Sequence, residues 1–245
     1  HIRIGLGGVA TNDAGAGMLA ALGANAVPAD ALRNGGVALR SLESLDLNAA
    51  LELTRHVNIE VLSDVDNPLL GTRGASKTYA GQKGATPAQI DQLEHSLQHF
   101  ATLVGVDAHG KNPAVALGAG AAGGLGFSLL ALGAKRKSGF TFVSQLQGLE
   151  EKILNADVVI TGEGTFDWKT LDGKVISGLA HLTLKHGKPL IVLAGQVSLG
   201  RRDWQTLGVN ATFAMVDDAP LEECFNRPGV VLRTTASRMG RTWLR

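Results

Sequence analysis

The chain has one cysteine, Cys224, in 245 residues, so neither an intrachain disulfide nor a cysteine-based metal cluster can form. A free thiol suits a reducing compartment, and the expected location is the cytoplasm. Cys224 follows Glu222 and Glu223, whose charge disfavours the thiolate, so no nucleophilic role is expected of it. Aromatic residues make up 4% of the chain and tyrosine occurs once, at Tyr79, which leaves no platform for stacking nucleic-acid bases. No apolar run approaches the ~20 residues that cross a bilayer, and the first residues lack the basic-then-apolar order of a signal peptide. The formal net charge of +1 is too small a surplus to draw phosphate backbones or an anionic membrane surface. Neither nucleic acid nor membrane is therefore an expected partner. Arg233, Arg238, Arg241 and Arg245 read as the solvated face of a terminal helix.

Several catalytic signatures are missing as well. The chain contains no G-x-x-x-x-G-K-[ST] phosphate loop, no protein-kinase signature, no G-x-S-x-G nucleophile elbow and no H-E-x-x-H zinc motif. Any phosphoryl transfer must use a different scaffold.

What the chain does have is glycine, 32 residues of it, gathered in clusters. His1 to Leu6 reads as a strand already in progress, which suggests that a segment precedes it. Gly7 and Gly8 follow, then Thr11, Asn12 and Asp13 with side chains suited to capping an apolar helix, Met18 to Leu22, that stops at Gly23. Val57 to Leu62 alternates as a strand, and Gly71 to Gly84 reads as a polar loop. Pro87 suits the first turn of a helix reaching Val104, with Leu93, Leu97, Phe100 and Val104 on one face. From Leu149 the rhythm is β-α-β. Asp157 to Thr161 is a strand with Gly162-Glu163-Gly164 as its exit loop, Lys174 to His186 a helix, Leu190 to Ala194 a strand, and Ala211 to Val216 another. This predicts an α/β fold: a Rossmann-like parallel-sheet domain from residues 1–25 and 150–245, with a second α/β domain, 26–149, inserted. Ligands then belong at the carboxyl ends of the strands.

Gly118-Ala119-Gly120-Ala121-Ala122-Gly123 matches G-x-G-x-x-G, but Lys135, Arg136 and Lys137 stand where dinucleotide binding wants an acid. A nicotinamide-dependent oxidoreductase rests on that match alone. The same glycines serve equally as a close-packing device or as backbone donors to an anion. Asp64-Val65-Asp66-Asn67-Pro68 offers oxygen ligands suited to Mg²⁺, or an ordinary Asx-Pro turn. Asp167 lies just past a buried strand, where a carboxylate can act as base or metal ligand. Lys83 and Lys174 stand beside glycines in anion-friendly places. Cations, carboxylates and glycine amides together are what phosphoryl transfer needs.

In order along the chain these loops resemble one family, the bacterial glycerate kinases that make 2-phosphoglycerate. Gly7-Gly8-Val9-Ala10-Thr11-Asn12-Asp13-Ala14-Gly15-Ala16-Gly17 resembles that family's GGSATNDGGAG. Asp64 to Gly71 resembles DVTNPLLG, Gln82 to Ala85 matches QKGA, and Gly118 to Gly124 matches GAGAAGG. Gly162 to Lys174 is similar to GEGRLDxQTLxGK. Val9, Asp66 and Lys169 depart from the family's serine, threonine and glutamine. The resemblance implies a two-domain kinase that moves the γ-phosphoryl group of ATP, with Mg²⁺, to the 2-hydroxyl of D-glycerate. It implies that Asp64, Asp167 and Lys174 are catalytic, and that Asp64 or Asp167 holds Mg²⁺ or takes the hydroxyl proton. Gly7, Gly8, Thr11, Asn12, Asp13, Asn67, Lys83, Gly118, Gly120, Gly123 and Glu163 form the implied substrate- and phosphate-binding set. It also implies a longer N-terminal part, carrying PDSFKGS-like and ADGGEGT-like loops absent from this chain. The expected partner is then a complementing N-terminal segment or a second copy, and the alternative function is a catalytically inactive binding protein of the same fold.

Overall fold

A computed structural model describes residues 1–171 and 175–243, so Lys174 lies outside the described residues. The chain divides into two compact units, residues 1–139 and 140–245. The first runs through β1 (Ile2–Gly5), α1 (Ala16–Ala21), the antiparallel pair β2 (Asn25–Val27) and β3 (Ser44–Asp46), and α2 (Asn48–Thr54). It continues with β4 (Ile59–Leu62), α3 (Pro87–Val104), α4 (Leu125–Ala131) and β5 (Lys135–Lys137). β4 is the middle strand of a parallel sheet ordered β1-β4-β5. The strand expected from Val57 starts two residues later, and Ile59, Glu60 and Val61 are all buried where alternation was the expectation. A central parallel strand is covered on both faces, which erases the period of two.

α3 forms as its sequence predicts. Thr86 and Gln89 cap each other reciprocally, and Pro87 occupies the first turn, where its missing N–H costs nothing. Leu97 and Phe100 are fully buried, with Leu93 and Val104 half-buried beside them. The Phe100 ring meets Phe127 of α4 edge-on, centroids 6.0 Å apart. Residues 71–84 differ from expectation: Ser76–Ala80 and Gly81–Lys83 are helical turns. They carry Tyr79 and Lys83, one turn apart, toward the same side.

The second unit contains α5 (Gly139–Leu146, opening at the boundary), α6 (Leu149–Leu154), β6 (Val159–Phe166), α7 (Val175–Lys185) and β7 (Leu190–Val197). α8 (Arg201–Thr206), β8 (Ala211–Ala214), α9 (Leu221–Asn226) and α10 (Pro228–Trp243) complete it. The sheet is parallel, ordered β6-β7-β8, with helices between successive strands. This is the expected α/β pattern. Gly162-Glu163-Gly164 is not an exit loop, however. It lies within β6, whose ladder with β7 runs on to Phe166 opposite Val197. β8 ends at Ala214, and Met215–Asp217 turns away in a 3₁₀ helix. Phe166, Ile176, Leu190, Val192 and Trp204 build the core on one side of this sheet.

Arg238 of α10 is not the solvated arginine expected. Its Nε lies 2.9 Å from Asp218 Oδ1, and its guanidinium sits 5.2 Å from the centroid of the Phe213 ring. Thr235 Oγ1 donates to Asp218 Oδ2 at 2.7 Å. Arg238, with Thr235, holds the Asp218 carboxyl below its ordinary range. The terminal helix is thereby fastened to the end of β8.

The division into units runs differently from the domain grouping read from the sequence. Residues 1–25 belong with the residues that follow them, because β1 gives its hydrogen-bonding edge to β4 in register Ile2↔Ile59 through Gly5↔Leu62.

Glu60 binds the three strands of this first sheet together. Its side chain is 7% exposed and accepts from Arg3 Nε of β1 at 2.8 Å, with His1 Nε2 at 2.9 Å. Lys137 of β5 closes on its other oxygen. The hydrogen bond from Lys137, then that from Arg3, lowers the Glu60 pKa below the ordinary carboxylate value of about 4.5. Because the folded value is depressed, the unfolded chain binds more protons in acid. The stability contributed by Glu60 is whole above that ordinary value and is lost as pH falls through the lowered one. Glu60→Gln should therefore be less stable than wild type at neutral pH, with the gap narrowing on acidification below about pH 4.5. Denaturant midpoints measured across that range check this, and a gap independent of pH would contradict it.

Candidate active site

Parallel strands bring their carboxyl ends to one edge, so the loops leaving β1, β4 and β5 emerge side by side. From β1 comes Gly7-Gly8, and the Leu6 amide still donates to Leu62 O at 3.0 Å. From β4 come Asp64 to Asn67, and from β5 comes Ser138, whose Oγ donates to Asp64 Oδ1 at 2.8 Å. The Gly118–Gly124 loop lies against all of this. The Gly120 amide donates to Asn67 O at 2.9 Å, and Gly123 O accepts from the Ala14 amide at 3.0 Å.

These contacts are backbone on backbone. A Cβ on Gly120 would stand 2.2 Å from Pro68 O, and one on Gly123 would stand 2.1 Å from Thr11 O. The glycines are the packing device that the sequence left as one of two readings. Gly120 uses its amide for that purpose and so does not offer it to a ligand. Ala14 and Ala122, with φ of 54° and 53°, hold left-handed backbone that alanine disfavours. Such conformations cost about 1–3 kcal/mol each and concentrate at functional sites.

The other reading also finds support. A cavity of about 420 Å³ opens between the first loop and the glycine loop, lined by Gly7, Gly8, Tyr79, Lys83, Ala122 and Gly123 among others. Among the described residues, the amides of Gly7, Gly8, Ala122 and Gly123 donate to no protein acceptor. Lys83 Nζ donates to Thr11 O at 2.6 Å and stands 3.0 Å from a Cβ built on Gly123. Burial lowers the Lys83 pKa, and the nearby Asp13 carboxylate opposes the shift. Asp13 itself accepts from the Gly15 amide at 3.2 Å, in the turn that leads into α1, whose N-cap residue is Gly15 and not Asp13. Four unclaimed amides and a lysine around one cavity describe a receptor for anionic oxygens.

Not every predicted residue joins them. Asn12 is 7% exposed, and its Nδ2 donates to Ser76 Oγ at 2.9 Å. Thr11 serves through its carbonyl. Gly118 packs on the Arg136 side chain. Asn67 is fixed on both ends, donating to Arg73 O at 2.7 Å and accepting from Tyr79 Oη at 2.7 Å. Asp66 is engaged by Arg136 Nη2 at 2.6 Å. The two acids of Asp64-Val65-Asp66 thus take separate partners. Among the described residues, no group of three or more His, Cys, Asp or Glu side chains is arranged to hold a metal. His95 and His99 have the i, i+4 spacing of a zinc pair on α3, but His99 Nε2 lies 2.7 Å from Leu42 O.

Tyr79 and Arg136 are the residues the sequence reading missed. By residue type alone Tyr79 offers only a ring for stacking, and Arg136 only a cation where dinucleotide binding wants an acid. The signal for Tyr79 was its i, i+4 spacing to Lys83, hidden by reading the segment as loop.

In the second unit, Glu163 lies on β6 and Asp167 directly follows that strand. The Asp167 amide donates to Thr170 Oγ1 at 3.3 Å, the Thr170 amide donates to Asp167 O at 3.0 Å, and Thr170 Oγ1 donates to Glu163 Oε1. A larger cavity of about 640 Å³ runs along β6, lined by Ile160, Leu193, Leu221, Phe225 and Leu232 among mostly apolar groups.

The Thr11–Gly123 crossing yields a direct test. Gly123→Ala adds a methyl where φ is +68° and the Thr11 carbonyl leaves no space, so roughly 2–4 kcal/mol of stability should be lost. Gly7→Ala, with nothing within 4 Å of its Cβ, should change stability by less than about 1 kcal/mol. Urea unfolding of the two variants measures both.

Comparison of the chain with known proteins points to one family. The glycerate kinase family model matches residues 1–244. The chain is 40% identical over 240 residues to the glycerate kinase of Bacillus subtilis strain 168, covering 96% of this chain and 63% of that protein. It is 40% identical over 229 residues to the glycerate 2-kinase of Escherichia coli K12, covering 92% of this chain and 60% of that one. The crystal structure of a candidate glycerate kinase 2 from Salmonella typhimurium LT2 superposes with a TM-score of 0.61 at 36% identity, over 99% of this chain and 65% of that one. The chain spans about three-fifths of the length of these curated relatives. With matching motifs, a matching fold and a family model that covers nearly every residue, the chain belongs to the glycerate kinase family.

Proposed function

We propose that this chain carries the larger part of a small-molecule kinase that transfers the γ-phosphoryl group of ATP to the 2-hydroxyl of D-glycerate, giving 2-phosphoglycerate and ADP. The observation that carries the reading is the cavity where the amides of Gly7, Gly8, Ala122 and Gly123 surround Lys83 at the strand tips. Amides and an ammonium stabilise the charge spread over phosphoryl oxygens. The names of the Bacillus and Escherichia relatives support the substrate.

In this reading the glycerate hydroxyl oxygen forms a bond to the γ-phosphorus, the bond to the β,γ-bridging oxygen breaks, and the hydroxyl proton passes to a carboxylate. Asp64 and Asp167 are the residues proposed to accept that proton or to hold Mg²⁺. Each lies just past the end of a parallel strand, and carboxylate oxygens are the hard donors Mg²⁺ takes. When bound, Mg²⁺ neutralises charge on the nucleotide phosphates. Lys83 balances charge on the transferring group, a role assigned also to Lys174. Asp13 and Glu163 complete the proposed substrate-binding set, while Asn67, engaged at both ends of its amide, orders the loop after β4.

The apolar groove along β6 supports a second element of the proposal. Ile160, Leu221, Phe225 and Leu232 are 43–77% exposed there. Contiguous apolar surface of this kind marks an interaction site. We read it as a surface covered by a complementing segment of the longer family protein, with a second copy of the chain as the competing occupant. Size-exclusion chromatography separates the two.

The decisive assay couples ATP consumption to D-glycerate, run on this chain alone and with the complementing N-terminal segment, with the product identified by phosphorus NMR. Phosphorylation at the 2-position is expected in at least the complemented form. Failure in both forms would favour the binding-protein reading. Asp167→Asn should lower turnover by roughly two to three orders of magnitude with an unchanged thermal midpoint. Turnover near that of the unaltered protein would remove Asp167 from its role.

A further inference from the structure

We propose that Thr170 is a positioning residue, whose hydroxyl sets the Glu163 carboxylate and the backbone launching Asp167 in one fixed relation. The inference rests on the kinase reading for its functional consequence but not for its geometry.

Thr170 is 1% exposed, so its hydroxyl must find partners inside the protein. A hydroxyl has one proton to give and lone pairs to receive with. The proton goes to Glu163 Oε1, and the oxygen receives the Asp167 amide at 3.3 Å. The Thr170 amide returns a bond to Asp167 O at 3.0 Å, closing the turn from both directions. Asp167 is therefore held on two sides. Behind it, β6 is locked in register to β7 through Phe166↔Val197, and the Ser198 amide donates to Phe166 O at 2.9 Å. Ahead of it stands Thr170. Glu163, four residues back along the strand, is half-buried and tied to the same oxygen. The Glu163 carboxylate and the backbone amide of Asp167, two residues that the kinase reading assigns to the site, thus share one buried hydroxyl. Removing it takes one hydrogen bond from each of them without opening the core, because the γ-methyl of threonine remains.

This separates the hydroxyl from mere packing. Thr170→Val keeps the shape and deletes the hydrogen bonds, whereas Thr170→Ser keeps the hydrogen bonds and deletes a methyl. The first measurement is amide hydrogen exchange by NMR on this chain, which requires no activity. Thr170→Val should speed exchange of the Asp167 amide by about tenfold or more and leave the Ser198 amide unchanged, and Thr170→Ser should preserve the rate. An Asp167 amide that exchanges equally in all three proteins overturns the proposal.

The second measurement is kinetic, in the form that turns over D-glycerate. Thr170→Val should lower kcat about 10- to 100-fold with KM changed less than threefold, while Thr170→Ser stays within about threefold of wild type in both. If Val retains full turnover, or Ser falls as far as Val, the positioning role is wrong. If the unaltered protein shows no turnover while the exchange contrast is seen, the kinase reading fails and the clamp stands.

Discussion

The Thr11 carbonyl is where the first unit is drawn together. One of its neighbours is the Lys83 ammonium at 2.6 Å, and another is Gly123, so close that no side chain could be added there. The loop after β1, the helical turn carrying Lys83 and the glycine loop before α4 all meet at this oxygen. Holding a lysine against a carbonyl keeps a cation partly buried without a carboxylate neutralising it outright. Burial lowers its pKa, which makes proton loss easier than in water. The Lys83 side chain lines a cavity rimmed with unclaimed amides. This arrangement costs backbone strain at Ala14 and Ala122, and the tight crossing of loops is what maintains it.

Beneath that crossing the parallel sheet does the aligning. Glu60 lies on the central strand and answers cations from both neighbours. A buried ion cluster of this type is a weak source of net stability, since desolvation offsets much of the attraction. Its consequence is specificity of pairing. Arg3 and Lys137 each find their partner only when β1 and β5 flank β4, which also sets the strand tips level at one edge. Arg136, next along β5, applies the same logic to the loop above by engaging Asp66 and Val65 O.

In the second unit the constraint is continuity of β6. Because the strand runs unbroken through Gly162-Glu163-Gly164 to Phe166, Glu163 is mounted on a ladder and Asp167 stands at its end. For the proposed kinase, rigid mounting of these groups matters because misplacement by about an ångström costs large factors in rate. α10 is fastened independently through Arg238 and Asp218, and an apolar groove lies open along β6.

Periodicity and punctuation made much of the secondary structure legible: α3 with its Thr86-Pro87 start, the strands of the β6-β7-β8 sheet, and the glycine loops all follow from local sequence. The family too was readable there, because motifs keep residue identity and order whatever the fold does with them. Other features required the assembled chain. Whether Gly162-Glu163-Gly164 continues a strand depends on β7 lying alongside to accept its hydrogen bonds. That Gly120 is packing while Gly123 both packs and faces a cavity depends on which loop crosses it. Tyr79, Arg136 and Thr170 gained their roles from partners that residue type alone does not name. Local sequence sets the backbone's preferred geometry, but a hydrogen bond between distant residues exists only once the chain has brought donor and acceptor within about 3 Å.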